Sequence, residues 1–164
     1  MGYLEDFKKN LASKELFDDS TLWNFEVTPA FIDWFITCKH GLFLTSVEKE
    51  IPKYLTIKNH AAQNCFYNAQ LISLNNNIQY SEGLMYGPVF KTCIHHGFNI
   101  KDDKVIDVTW IENSSNFANP PDKYFYYYGI PIDNDFIKKH INEQDLKYCH
   151  NPILLKYYLE NKSK

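Results

Sequence analysis

Cys65-Phe66-Tyr67-Asn68-Ala69, then Tyr80-Ser81-Glu82-Gly83, then His96-Gly97-Phe98-Asn99, then Val105-Ile106-Asp107-Val108-Thr109-Trp110: along this stretch a thiol, an imidazole and a carboxylate follow one another. A free thiol is mostly protonated near neutral pH. An imidazole must take its proton before it can attack a carbonyl, and a carboxylate must hold that imidazole in one tautomer. No other set of residues in the chain competes for this chemistry. Cys65, His96 and Asp107 are therefore the candidate catalytic residues.

Local patterning expects these three groups to be brought together. Asn64 can cap a helix that begins at Cys65 and runs through Ala69, Leu71 and Ile72 to Asn75-Asn76-Asn77. The thiol would then sit on the first turn, where unpaired N–H groups and the positive end of the helix dipole stabilise negative charge. Beyond it the pattern changes to strands at Ile78–Glu82, Val89–Ile100 and Lys104–Trp110, the last two joined by a turn on Asp102 and Asp103. The period of two puts His96, Phe98 and Ile100 on one face, and Val105, Asp107 and Thr109 on one face of the next strand. A connecting loop of even length makes those faces coincide and sets His96 directly or diagonally across from Asp107. An odd loop or a bulge breaks the pairing. His95 points the other way, so His96 is preferred by parity and by its motif.

On the N-terminal side, Leu4, Phe7, Leu11 and Leu16, and after Pro29 Phe31, Trp34, Phe35 and Cys38, keep helical spacing until Gly41. Residues 41–58, with Pro52 inside, fit either a short helix or an extended stretch. On the C-terminal side, Glu112–Asp122 reads as a loop, Tyr124–Tyr128 as a strand ended by Gly129, and Asn134–Asn142 and Ile153–Leu159 as helices before a polar tail. The expected architecture is a single α+β domain over residues 1–164. Residues 1–60 form a helical N-terminal part, 61–132 a core that carries the triad on a helix packed against an antiparallel sheet, and 133–164 the C-terminal helices and tail.

The 164 residues, 45% of them hydrophobic, are enough for one real core. The formal charge is −3 and all 17 basic residues are lysines, so the planar fork that reads guanine or clamps phosphate is missing. Sequence-specific nucleic-acid binding is not expected. No uncharged run approaches the roughly 18 residues of a membrane span, and Met1–Phe7 has neither the basic nor the apolar region of a secretory signal. The expectation is a cytoplasmic protein with no membrane association, whose Cys38, Cys65, Cys93 and Cys149 remain thiols. Cys93, His95 or His96, Asp107, Cys149 and His150 are the conceivable metal ligands. Cys93-x-His95 and Cys149-His150 are poor matches to the close ligand pairs of structural zinc sites, so neither metal nor cofactor is expected. Oligomeric state is left open.

Cys65-x-x-x-Ala69, the step around His96 and Phe98, and Asp107-x-Thr109 together resemble the transglutaminase-like branch of the papain-like cysteine superfamily, which orders Cys, His and Asp along helix, strand and strand. With Tyr80-Ser-Glu82-Gly83 and Tyr128-Gly129-Ile130-Pro131 added, the chain is similar to a group of small phage and bacterial proteins without an established substrate. The resemblance covers residues 64–132. Two positions depart from the family pattern: Phe98 stands where Trp is usual, and Val108 where Pro is usual. The resemblance implies hydrolysis or acyl transfer at an amide, isopeptide or related acyl bond of a protein or small molecule, through a thioester on Cys65.

Four further residues are candidates for contacts to substrate or oxyanion. Gln63 and Asn64 could each donate a side-chain hydrogen bond to an oxyanion, and the backbone N–H of Cys65 could do so unaided. Asn68, one turn along from Cys65, could hold a substrate carbonyl or simply support local structure. Glu82 could orient substrate or the helix, or could be a surface charge at a strand end. The plain alternatives are a buried core thiol at Cys65, a satisfied strand histidine at His96, and a turn cap or lysine partner at Asp107. The rival function is a non-catalytic binding module, such as a viral host-interaction protein that keeps an inherited triad.

Overall fold

A computed structural model describes residues 3–14, 17, 23, 25–56, 64–87, 92–113, 125–141 and 152–162. Leu16, Gln63, Val89, residues 114–122 of the expected loop, Tyr124, Asn142, Cys149 and His150 lie outside the described residues. Among the described residues the chain forms six helices and five strands, a mixed α+β fold.

Two helices come first: α1 (Tyr3–Ser13) and α2 (Pro29–Thr37). Thr28 accepts a hydrogen bond from Phe31 N, and Pro29, which has no N–H to satisfy, takes the first turn of α2. The undecided 41–58 stretch contains a short strand, β1 (Leu42–Leu44), and a parallel bridge from Val47 to Val105. The helix α3 (Cys65–Asn76) starts where Asn64 accepts from Tyr67 N and ends at Asn77, whose positive φ suits a left-handed cap.

The strands are β2 (Gln79–Gly87), β3 (Thr92–Lys101), β4 (Lys104–Ile106) and β5 (Tyr126–Ile132), in the antiparallel order β1-β5-β2-β3-β4. The remaining helices are α4 (Val108–Asn113), α5 (Asn134–His140) and α6 (Leu154–Asn161). Asp102 and Asp103 both have positive φ, so a two-residue hairpin turn joins β3 to β4 and pairs Lys101 with Lys104.

Three expectations need correction. The strand beginning at Ile78 does not stop at Glu82 but continues to Gly87, because β5 on one side and β3 on the other satisfy its backbone throughout. Gly129 does not end β5. It pairs with Gly83 inside the sheet, and a Cβ on it would crowd Ser81 and Phe98. Lys104–Trp110 is a strand for only its first three residues, since the Asp107 carboxylate accepts from Trp110 N and starts α4.

One sheet face carries Tyr80, Leu84, Tyr86, Cys93, Tyr128, Ile130 and Ile132 into a core built with Phe7, Trp23, Phe31 and Phe35. The other face carries Met85, Phe98, Ile100 and Tyr127 into a smaller core with Leu44, Val105 and Phe125. Gly97 lets α3 lie against β3: a Cβ there would stand 3.0 Å from the Phe66 Cα. That close approach positions the first turn of α3, and so Cys65.

Candidate active site

β4 runs out opposite Asn99, and Asp107 follows at the turn into α4. In register terms Asp107 is diagonal to His96, and the two side chains meet: His96 Nε2 lies 2.6 Å from Asp107 Oδ2. Asp107 accepts two other hydrogen bonds, from Tyr127 OH to Oδ2 at 3.0 Å and from Trp110 N to Oδ1 at 2.9 Å. Three donors from three elements hold this carboxylate, which is 2% exposed. An acceptor so close to Nε2 holds a proton there and leaves Nδ1 as the nitrogen that can exchange a proton with another group.

Cys65 occupies the first position of α3 and is half-buried, whereas His96 is buried. Burial alone would pull the His96 pKa down. The Asp107 charge opposes this, the hydrogen bond to Asp107 and the nearby Cys65 sulfur add to that opposition, and the net direction is well above the ordinary imidazole value. The same sulfur raises the phenol pKa of Tyr80 on one sheet face and of Tyr127 on the other, in each case as a minor contribution beside burial. Cys65 opens the turn of α3 that lies against β3 at Gly97.

The backbone around the thiol is partly committed. Asn64 O accepts from Asn68 N, and Asn64 Oδ1 accepts from Tyr67 N. The N–H groups of Cys65 and Phe66 precede the first intrahelical bond and point from the positive end of α3. Asn64 thus serves α3 as its cap through Oδ1. Asn68 is buried and donates to Thr109 Oγ1 at 2.8 Å, tying α3 to α4. Gln63 lies outside the described residues.

Glu82 is no surface charge. It is fully buried, on the sheet face opposite His96, and accepts from His95 Nε2 at 3.0 Å, Tyr80 OH at 2.8 Å, Ile153 N at 2.8 Å and Leu154 N at 3.1 Å. It therefore caps α6 and pairs with His95, which packs among the rings of Trp23, Phe25 and Phe66. The two adjacent histidines each have a carboxylate, on opposite faces, and only the His96 pair adjoins the thiol.

Two features went unread in the sequence. Tyr127 sits in an aromatic run that signals a strand but not a bond to Asp107. Glu82 has partners about seventy residues away in α6, which no local pattern connects. Among the described residues no group of three His, Cys, Asp or Glu side chains is arranged to hold a metal ion, and no helix is long and apolar enough to cross a membrane.

No family model matches the chain, and no curated protein and no solved structure matches it.

Proposed function

We propose that the protein is a thiol-dependent hydrolase or acyltransferase of transglutaminase-like type, acting on an amide, isopeptide or related acyl bond of a protein or small molecule. The observation that carries the reading is the 2.6 Å contact of His96 Nε2 with Asp107, on a buried imidazole whose pKa is also raised by the neighbouring Cys65 side chain at the start of α3. A buried His–carboxylate pair alone is common structural furniture, as His95 and Glu82 illustrate. A half-buried thiol whose sulfur also acts on the ring is what distinguishes the His96 pair.

In this reading the Cys65 proton passes to His96 Nδ1, and the resulting thiolate Sγ bonds to the substrate carbonyl carbon. The carbonyl electron pair moves to oxygen, and the resulting oxyanion accepts hydrogen bonds from the N–H groups of Cys65 and Phe66. As the oxyanion collapses, the bond to the leaving amine breaks and the amine takes the proton from His96. The thioester is then opened by water or by a second amine, whose proton His96 accepts, and the thiol is restored. Asp107 holds the ring through Nε2 and stabilises the imidazolium.

The test is the pH profile of iodoacetamide alkylation, read by intact mass and peptide mapping, in the native protein and in His96→Ala. Mapping separates Cys65 from the other thiols; Cys93 is buried, and its pKa is pushed up to about 12. Reaction at Cys65 below about pH 7 that is lost with His96 supports the proposal. An inert Cys65, or one indifferent to His96, overturns it in favour of a binding module.

A further inference from the structure

Tyr127 is fully buried on β5, and its hydroxyl donates to Asp107 Oδ2, the same oxygen that receives His96 Nε2. We infer that Tyr127 is a positioning residue that tunes the basicity of His96 through their shared Asp107 oxygen. This rests on the proposed thiol chemistry and names a control over it. Among the described residues, the titratable groups that act on His96 or pack against it are Cys65 on α3, Asp107 before α4 and Tyr127 on β5.

The physical argument is one of charge sharing. A phenol that donates to a carboxylate oxygen draws off part of its negative charge, so less remains to hold a proton on the imidazole. Tyr127 keeps its proton throughout the working range, because burial and the neighbouring carboxylate push its pKa well above that of a free tyrosine. The His96 and Tyr127 ring centres are 6.3 Å apart, and both side chains meet at Oδ2. Removing the hydroxyl gives Asp107 a stronger hold on the imidazolium. The proton shared by Cys65 and His96 then lies further toward His96, and a larger share of Cys65 is thiolate.

The experiment compares wild type, His96→Ala and Tyr127→Phe by the pH profile of Cys65 alkylation, and follows the His96 ring protons by NMR in wild type and Tyr127→Phe. The expected result is two shifts in Tyr127→Phe: the His96 titration moves up by about half a pH unit, and the proton equilibrium of the Cys65–His96 pair moves toward thiolate, which raises the alkylation rate near pH 7 about threefold. Replacing Tyr127 by 3-fluorotyrosine keeps the shape and strengthens the donor, so both shifts change sign; this holds the inference testable if Tyr127→Phe folds poorly. A Tyr127→Phe protein that follows wild type while His96→Ala does not overturns the role of Tyr127 and leaves the proposed function standing. A wild-type profile identical to His96→Ala overturns the function instead, and the NMR titration still decides Tyr127: an unmoved His96 curve rejects it.

Discussion

His95 and Glu82 meet at 3.0 Å with both side chains almost wholly removed from solvent, one residue along the chain from His96 and its carboxylate. Successive residues of a strand face opposite sides, so the Glu82 pair belongs to the aromatic core and the Asp107 pair to the thiol. The first holds the fold together. The second stands at the candidate site.

Glu82→Gln is expected to destabilise the protein by about 2–4 kcal/mol, because the amide loses the charge facing His95 and turns a donor toward the N–H groups of Ile153 and Leu154. Urea unfolding followed by tryptophan fluorescence measures it. A loss below about 0.5 kcal/mol would mean that Glu82 is not the cap that holds α6 to the sheet.

Asp107→Asn keeps an acceptor for Trp110 N but removes the charge beside His96. The His96 pKa should fall, and alkylation of Cys65 near pH 7 should slow by roughly tenfold or more. Stability should suffer less than in Asp107→Ala, which also removes the α4 cap at a cost of about 1 kcal/mol. Alkylation rates equal to wild type would separate Asp107 from the thiol chemistry.

The raised His96 pKa makes stability depend on pH with a definite sign. Between the unfolded imidazole value of 6.5 and the higher folded value, the native chain holds more protons at this site than the unfolded chain. The His96 contribution is therefore fully present below pH 6.5 and is lost as pH rises through the folded pKa. Urea midpoints of wild type and His96→Gln, measured across this window, should converge as pH rises. A constant gap, or one that widens with pH, contradicts the assignment.

Gly97→Ala puts a methyl group 3.0 Å from the Phe66 Cα and into contact with the Phe66 ring. Relief requires the first turn of α3 to move off β3, which carries Cys65 away from His96. We expect a stability loss of about 1–3 kcal/mol and slower alkylation of Cys65, with the thiol becoming more exposed. A crystal structure of the variant with α3 unmoved would count against this account of the packing.

Much of the local organisation was readable because its causes are local. Asn64 before Cys65 is a cap that acts within three residues and starts its helix; Thr28 and Asp133, which were not read as caps, start α2 and α5 in the same way. Asp102-Asp103 is a two-residue turn, and its even length carries the parity that brings His96 toward Asp107. The errors share one origin. Val108, Thr109 and Trp110 have strand propensity, but the Asp107 side chain offers Trp110 N an acceptor and the helix prevails. Gly129 resembles a strand end until its neighbours Gly83 and Phe98 are known.

The sequence by itself determined the α+β character, the helix that begins at Cys65, and the side of the strand on which His96 stands, since capping and alternation depend on neighbours along the chain. Only the tertiary structure decided that Glu82 is buried beneath α6, that Tyr127 shares an oxygen with His96, and that the turn of α3 carrying Cys65 lies against β3. These contacts join residues tens of positions apart, and their energies depend on desolvation and packing, which exist only once the elements have come together.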